Sequence, residues 1–190
     1  MFNEIENKGH YKMSNLVKLS AFSVLLAAFC AHASQGEGVV NFKGTVVDSP
    51  CGIEADSADQ SIDFGQIPKS TLAAGGISKQ KTLEIKLVNC EIKNIAKGVQ
   101  VTFTGNTLSA PDAEGTMVPV ATELATSGPT NTAVIINNGS DLSFGTGTSY
   151  IPLGAGQNTL QFKTWVKQAT GKTVAAGDFT AVANFNLSYQ

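Results

Sequence analysis

The 190 residues carry 13 Lys, no Arg, 15 Asp or Glu and two His, a net charge of −2 at pH 7. This mild acidity disfavours nucleic acid and anionic lipid as partners, and the absence of arginine removes the usual bidentate clamp for phosphate or carboxylate. Three Cys in so small a chain raise the question of compartment, which the N-terminus answers.

Leu16 to Phe29 is mainly apolar, with Lys12 before it, Lys18 near its start and Ala31-His32-Ala33 just after it. That pattern predicts an export signal over residues 1–33, cleaved after Ala33, and it is too short for a membrane span. A packed core helix would show a polar stripe, which this run lacks. Met13 is a better start than Met1, since Glu4 and Glu6 precede the compact basic stretch. Phe29 stands before Cys30, where a lipid-anchored precursor needs a small residue, so no lipid anchor is expected.

Cleavage leaves Ser34 to Gln190, 157 residues with ten Lys and thirteen Asp or Glu, a net charge of −3. This is enough for one domain with a core. It also leaves Cys51 and Cys90 as the only thiols of an exported chain, which predicts one disulfide, with two separate buried thiols as the alternative. Both histidines, His10 and His32, fall in the discarded segment. The mature chain thus lacks the commonest general base and metal ligand, so no catalytic residues, metal or cofactor are expected. Glu54, Asp56, Asp59 and Asp63 lack the dense oxygen ligands and glycine of a calcium loop and read as a solvated turn.

Short runs of β-branched and aromatic residues alternate with polar ones between turn formers, predicting an all-β fold. The strands expected, in chain order, are Val39–Asp48, Ser61–Phe64, Thr82–Asn89, Gly98–Thr104, Ala133–Ile136, Thr159–Lys167 and Thr180–Tyr189. Leu83, Ile85 and Leu87 alternate with Glu84 and Lys86; Leu160, Phe162 and the pair Trp165 and Val166 sit among Gln161, Lys163 and Lys167. Such half-apolar strands suit a sandwich with one wet side per sheet. Trp165, the only Trp, reads as core. Ala110–Gly115 and Ser127–Thr132 read as connections.

The two ends are informative. Gly36, Gly38, Val40, Phe42 and Gly44 share one face of an extended segment, small residues first. At the other end Ala183, Phe185, Leu187 and Tyr189 alternate with Asn184, Asn186 and Ser188 up to Gln190. Two alternating termini are candidates for strand exchange between chains, where backbone bonds supply affinity and alternate side chains set register.

These residues carry a family resemblance. Val39 to Cys51 with its Phe42, Gly44, Thr45 and Pro50-Cys51, then Ser57 to Gly65 with Phe64-Gly65, Leu87-Val88-Asn89-Cys90, and Phe185 to Gln190 together resemble a chaperone-usher pilin, nearest to major shaft subunits of P-type fimbriae. Gly177 and penultimate Tyr189 match that family's C-terminal motif, and the departures lie in the middle, about Ala110 to Thr148. The resemblance implies an incomplete immunoglobulin-like sandwich, completed by a donor strand from a neighbouring subunit. Carried onto this sequence, residues 34–45 form the donor extension, with Gly36, Gly38, Val40 and Phe42 on its face, and residues 46–190 form the pilin domain. Gly177, Ala183, Phe185, Leu187 and Tyr189 mark the groove and its recognition by chaperone and usher. The partners implied are identical pilin subunits in a head-to-tail filament, a periplasmic pilus chaperone, an outer-membrane usher and other pilins of the same fimbria. The implied route runs through the periplasm to the cell surface. A minor adaptor pilin is the alternative within the family, and a secreted monomeric carbohydrate-binding β-sandwich is the alternative outside it.

Overall fold

A computed structural model describes residues 38–190 of the chain. The expected signal, its cleavage site and Gly36 lie outside the described residues. The chain divides into two units, residues 1–45 and 46–190.

The second unit is nearly all β. Its elements are β1 (Gly52–Ile53), α1 (Ala55–Ala58), α2 (Lys69–Ala73), β2 (Lys81–Cys90), β3 (Val99–Gly105), β4 (Thr107–Pro111), β5 (Met117–Ala125), β6 (Thr132–Asn137), β7 (Gly156–Gln168) and β8 (Ala183–Tyr189). One antiparallel sheet runs β1-β2-β7-β6-β5-β4, and the facing sheet has two strands among the described residues, β3 and β8. Two sheets packed face to face, one of them two strands wide, make an incomplete immunoglobulin-like sandwich.

The alternation in the sequence builds the core. Leu83, Ile85 and Leu87 of β2 point inward with Leu160 and Phe162 of β7, while Val99, Val101 and Phe103 of β3 close over them from the other sheet. Phe103 meets Phe162 edge-on, ring centroids 5.1 Å apart, which ties the sheets together at their centre. In β6, Thr132 to Ile136 are all buried, so this strand is covered on both faces and its residues need not alternate.

Val166 is part of the core, but Trp165 faces the other side of the sheet, half-buried, with Ile135 as its cross-strand partner. Neighbouring residues of a strand face opposite ways, so only one of that pair enters the core.

The two expected strands at the front of the mature chain are not strands. Val39–Asp48 has no regular structure and is exposed throughout, because no neighbouring edge pairs with it among the described residues. At Ser61–Phe64, Gly65 adopts a left-handed φ of 64° and donates its N–H to Asp63 Oδ1 at 2.7 Å, so the chain turns instead of continuing. Side chains replace a strand along that stretch of the β2 edge. Lys86 N–H donates to Ser57 Oγ at 3.0 Å, and Gln60 Nε2 donates to the Glu84 carbonyl at 3.1 Å.

Conversely, β4 and β5 occupy much of the stretch read as a variable middle. Pro111 and Pro119 disguised them. At Pro119, β5 pairs only with β4, since its pairing with β6 is confined to Leu124 and Ala125, and a strand with one open side tolerates proline.

Cys51 and Cys90 form the expected disulfide, both buried, joining the start of β1 to the end of β2 across 39 positions. Closing a loop of that size stabilises a fold by roughly 4 kcal/mol on the chain-entropy account. Replacing both cysteines by serine is expected to lower the urea midpoint accordingly and to reduce accumulation of the exported chain. An unchanged midpoint would show that the bond contributes nothing to stability.

One buried charge escaped the sequence reading. Glu123 of β5 is 2 % exposed and accepts hydrogen bonds from Lys167 Nζ at 2.6 Å, Thr170 N–H at 2.9 Å and Thr170 Oγ1 at 2.6 Å. Burial pushes its carboxyl up, but the bonds from Lys167 and Thr170 together outweigh burial and hold it below the ordinary 4.5. A carboxyl with a depressed folded value stabilises the fold above its unfolded value and loses that contribution as pH falls through the folded one. Glu123→Gln is expected to cost roughly 1–3 kcal/mol at pH 7, toward the lower end because Lys167 remains partly solvated. The gap between the urea midpoints of wild type and variant should narrow as pH falls below about 4.5 and close only below the depressed folded value.

Candidate functional site

Among the described residues β8 has a neighbour on one side only. Gly98 and Gln190 exchange two backbone bonds, each of 3.1 Å. By the antiparallel alternation, Gln190, Ser188, Asn186 and Asn184 therefore spend their backbone groups on β3. Tyr189, Leu187, Phe185 and Ala183 aim theirs away from β3, toward an edge with no strand among the described residues. Their side chains point into the sandwich, half-buried against the main core. The family resemblance implies a groove role for these four residues, and they share one face of β8.

A trench runs beside that edge. One cavity of about 800 Å³ is floored by Leu83, Phe103, Leu124, Val134 and Ile136, walled by Ala183 and Phe185 on one side and by Ser57 to Phe64 on the other. A second, of about 830 Å³, continues past the start of β8 between Ile62–Lys69 and Val174–Phe179, over Leu72. The two share Ile62, Asp63, Phe64 and Phe179 in their linings and so lie end to end along one trench, with these residues between them. Its floor is core that a third strand beside β8 would cover. Leu187 and Tyr189 pack against the core beyond the cavity walls.

Gly177 stands apart from the β8 residues, in the wall of the second cavity. Its φ is 148°, and a Cβ there would lie 2.6 Å from Pro129 Cγ. Glycine is required by backbone conformation and by close approach together, which fixes the wall where the 127–130 and 175–180 segments cross. Tyr189 has its hydroxyl buried without a well-formed hydrogen bond, Ser49 beside it making only a weak contact. Burial pushes the phenol above its ordinary 10.0.

Sequence reasoning missed Ile62 and Phe64 on the far rim, Leu72 beneath the second cavity, and Val174 and Phe179 on its near wall. Ile62 and Phe64 alternate with Ser61 and Asp63, which reads as a strand and gives no sign that the segment is the irregular rim of a cavity.

The first unit supplies a contrasting feature. Among residues 38–45, Val39 is 87 % exposed, Val40 73 % and Phe42 91 %. Just past the unit boundary Val46 is fully exposed. Gly38, Val40, Phe42, Gly44 and Val46 fall on one face of an extended chain. Soluble proteins rarely leave so many large apolar side chains together in water without a partner for them.

The sequence profile of the Fimbrial protein family matches residues 40–190. KS71A fimbrillin of Escherichia coli is 44 % identical over 194 aligned residues, which cover 94 % of this chain and all of that protein. The Pap fimbrial major pilin protein of Escherichia coli is 45 % identical over 82 % of this chain and 85 % of its own length. Among solved structures, a subunit of a chaperone-usher pilus superposes with a TM-score of 0.72 at 45 % identity, covering 82 % of this chain and 97 % of that one. The P pilus rod subunit PapA does so at 0.64 and 42 %, covering 75 % and 100 %. The chain belongs to the fimbrial protein family and is a major pilin of the chaperone-usher type.

Proposed function

We propose that this chain builds the shaft of a surface fimbria by passing its N-terminal segment into the trench of the next copy. One observation carries the reading: the same chain holds an apolar trench beside an unpaired strand edge and an exposed apolar segment of strand length. Residues 34–45 are the donor extension, with Gly36, Gly38, Val40 and Phe42 on the inserting face, which Gly44 and Val46 prolong. Ala183, Phe185, Leu187 and Tyr189 are the acceptor edge, and their outward backbone groups supply the ladder. Because donor and acceptor are different surfaces of one chain, repetition gives an open filament and not a closed ring.

An unfilled trench of this kind needs cover before assembly. The cover is a strand lent by a periplasmic chaperone, exchanged for the donor of the next subunit at an outer-membrane usher, and other pilins of the same fimbria join by the same exchange. The role is structural, in support of adhesion, with no catalytic centre. The test is electron microscopy of cells expressing a chain that lacks residues 34–43.

A further inference from the structure

Phe64 and Phe179 come from opposite walls of the trench, their ring centroids 6.5 Å apart and their planes tilted by 37°. Both line both cavities, so the pair stands at the waist between the two lobes. Anything that occupies the whole trench must pass these rings.

The two rings are held differently. Phe179 sits on a wall tied down by backbone bonds. Ala175 N–H donates to the Thr130 carbonyl at 3.0 Å, and Ser127 and Thr180 exchange bonds of 2.7 and 3.2 Å. Phe64 sits between two anchors, the Gln60 side chain on the β2 edge and the start of α2 at Lys69. From Ser61 to Ile67 no backbone group bonds to another backbone group among the described residues. Among the described residues the only backbone bond there is the local turn from Gly65 N–H to Asp63 Oδ1. A segment with few backbone bonds opens at low cost, whereas a cross-bonded wall does not.

We infer that Phe64 is the movable leaf of an aromatic gate, with Phe179 its fixed jamb. In the chain by itself the leaf rests on the jamb and divides the trench. When the neighbouring copy's strand enters, Ser61–Ile67 carries Phe64 aside, and the ring settles over the inserted strand. The gate rests on the strand-acceptor reading above and adds to it a control on rate. Since the leaf must move for a strand to enter and again for it to leave, the gate slows both directions and leaves the equilibrium nearly unchanged.

The measurement is stopped-flow binding of a fluorescent synthetic peptide of residues 36–47, in excess, to the dilute mature chain, after near-UV circular dichroism has shown that the uncovered wild type and each variant are folded. Phe64→Ala is expected to raise association and dissociation rates together, each roughly tenfold, and Phe64→Leu, which keeps bulk, to stay within about twofold of wild type. A faster dissociation with unchanged association would make Phe64 an ordinary contact and overturn the gate. Failure of the wild-type chain to bind the peptide would instead overturn the acceptor reading beneath it. Hydrogen exchange on the wild type provides an arm that needs no variant. Peptide binding should alter protection at Ser61–Ile67 far more than at Ala175–Thr180, and an unaltered Ser61–Ile67 would overturn the gate.

Discussion

Cells producing a chain that lacks residues 34–43 are expected to show no fibres by electron microscopy, while the shortened subunit accumulates with its Cys51–Cys90 bond formed. The reason lies in what the deletion leaves untouched. Every residue of the two core clusters is numbered 51 or higher, so the sandwich keeps its packing. What disappears is apolar surface that the described chain holds in water, above all Val40 and Phe42. Burying those two side chains in a neighbour contributes roughly 2–3 kcal/mol each, before the backbone bonds along the edge of β8 are counted. Without them the trench has no donor to receive, and the subunit remains in whatever complex protects it. Fibres of normal length from the shortened chain would refute strand donation.

Much of this was legible before any coordinates, and the exceptions have a common cause. Strands whose apolar residues face a core on one side advertise themselves by alternation, so β2, β3, β7 and β8 fell within a few residues of their expected bounds. The expected strand at Val39–Asp48 carries the same alternation and yet has no ladder here, because periodicity reports a face that seeks burial and not the edge that will provide it. That mismatch is itself informative, since the unmatched face and the unmatched edge of β8 occur in one chain.

The site was legible only where it is strand. Ala183 and Phe185 of β8 form one wall, but the opposite rim is built from Ile62 and Phe64 in an irregular loop. Only the three-dimensional path of that loop places these residues beside Phe179. The Glu123–Lys167 pair was hidden for a similar reason: its burial depends on the path of the Ala169–Lys172 turn, which no pattern in β5 or β7 announces.

The second large effect is expected on the acceptor side, from Leu187→Asp combined with Tyr189→Asp. Leu187 lies opposite Val101 and Tyr189 opposite Val99, two residues wholly buried, so both new carboxylates would face the centre of the sandwich. Each substitution removes apolar contact worth about 1–2 kcal/mol for a half-buried side chain and leaves a charge in partly desolvated surroundings. A sheet of two strands has little in reserve: β8 is held by β3 on one side and by these side chains below. Against a typical total stability of about 5–15 kcal/mol, the double variant should fail to accumulate in the periplasm, as read by immunoblot of periplasmic extracts. The control is Asn186→Asp with Ser188→Asp, the same charges on the exposed face of the same strand, which should leave yield near wild type. Equal yields from the two double variants would mean that the inward face of β8 has no part in capture or folding. Loss confined to the inward pair would separate the trench from any general intolerance of charge near the C-terminus.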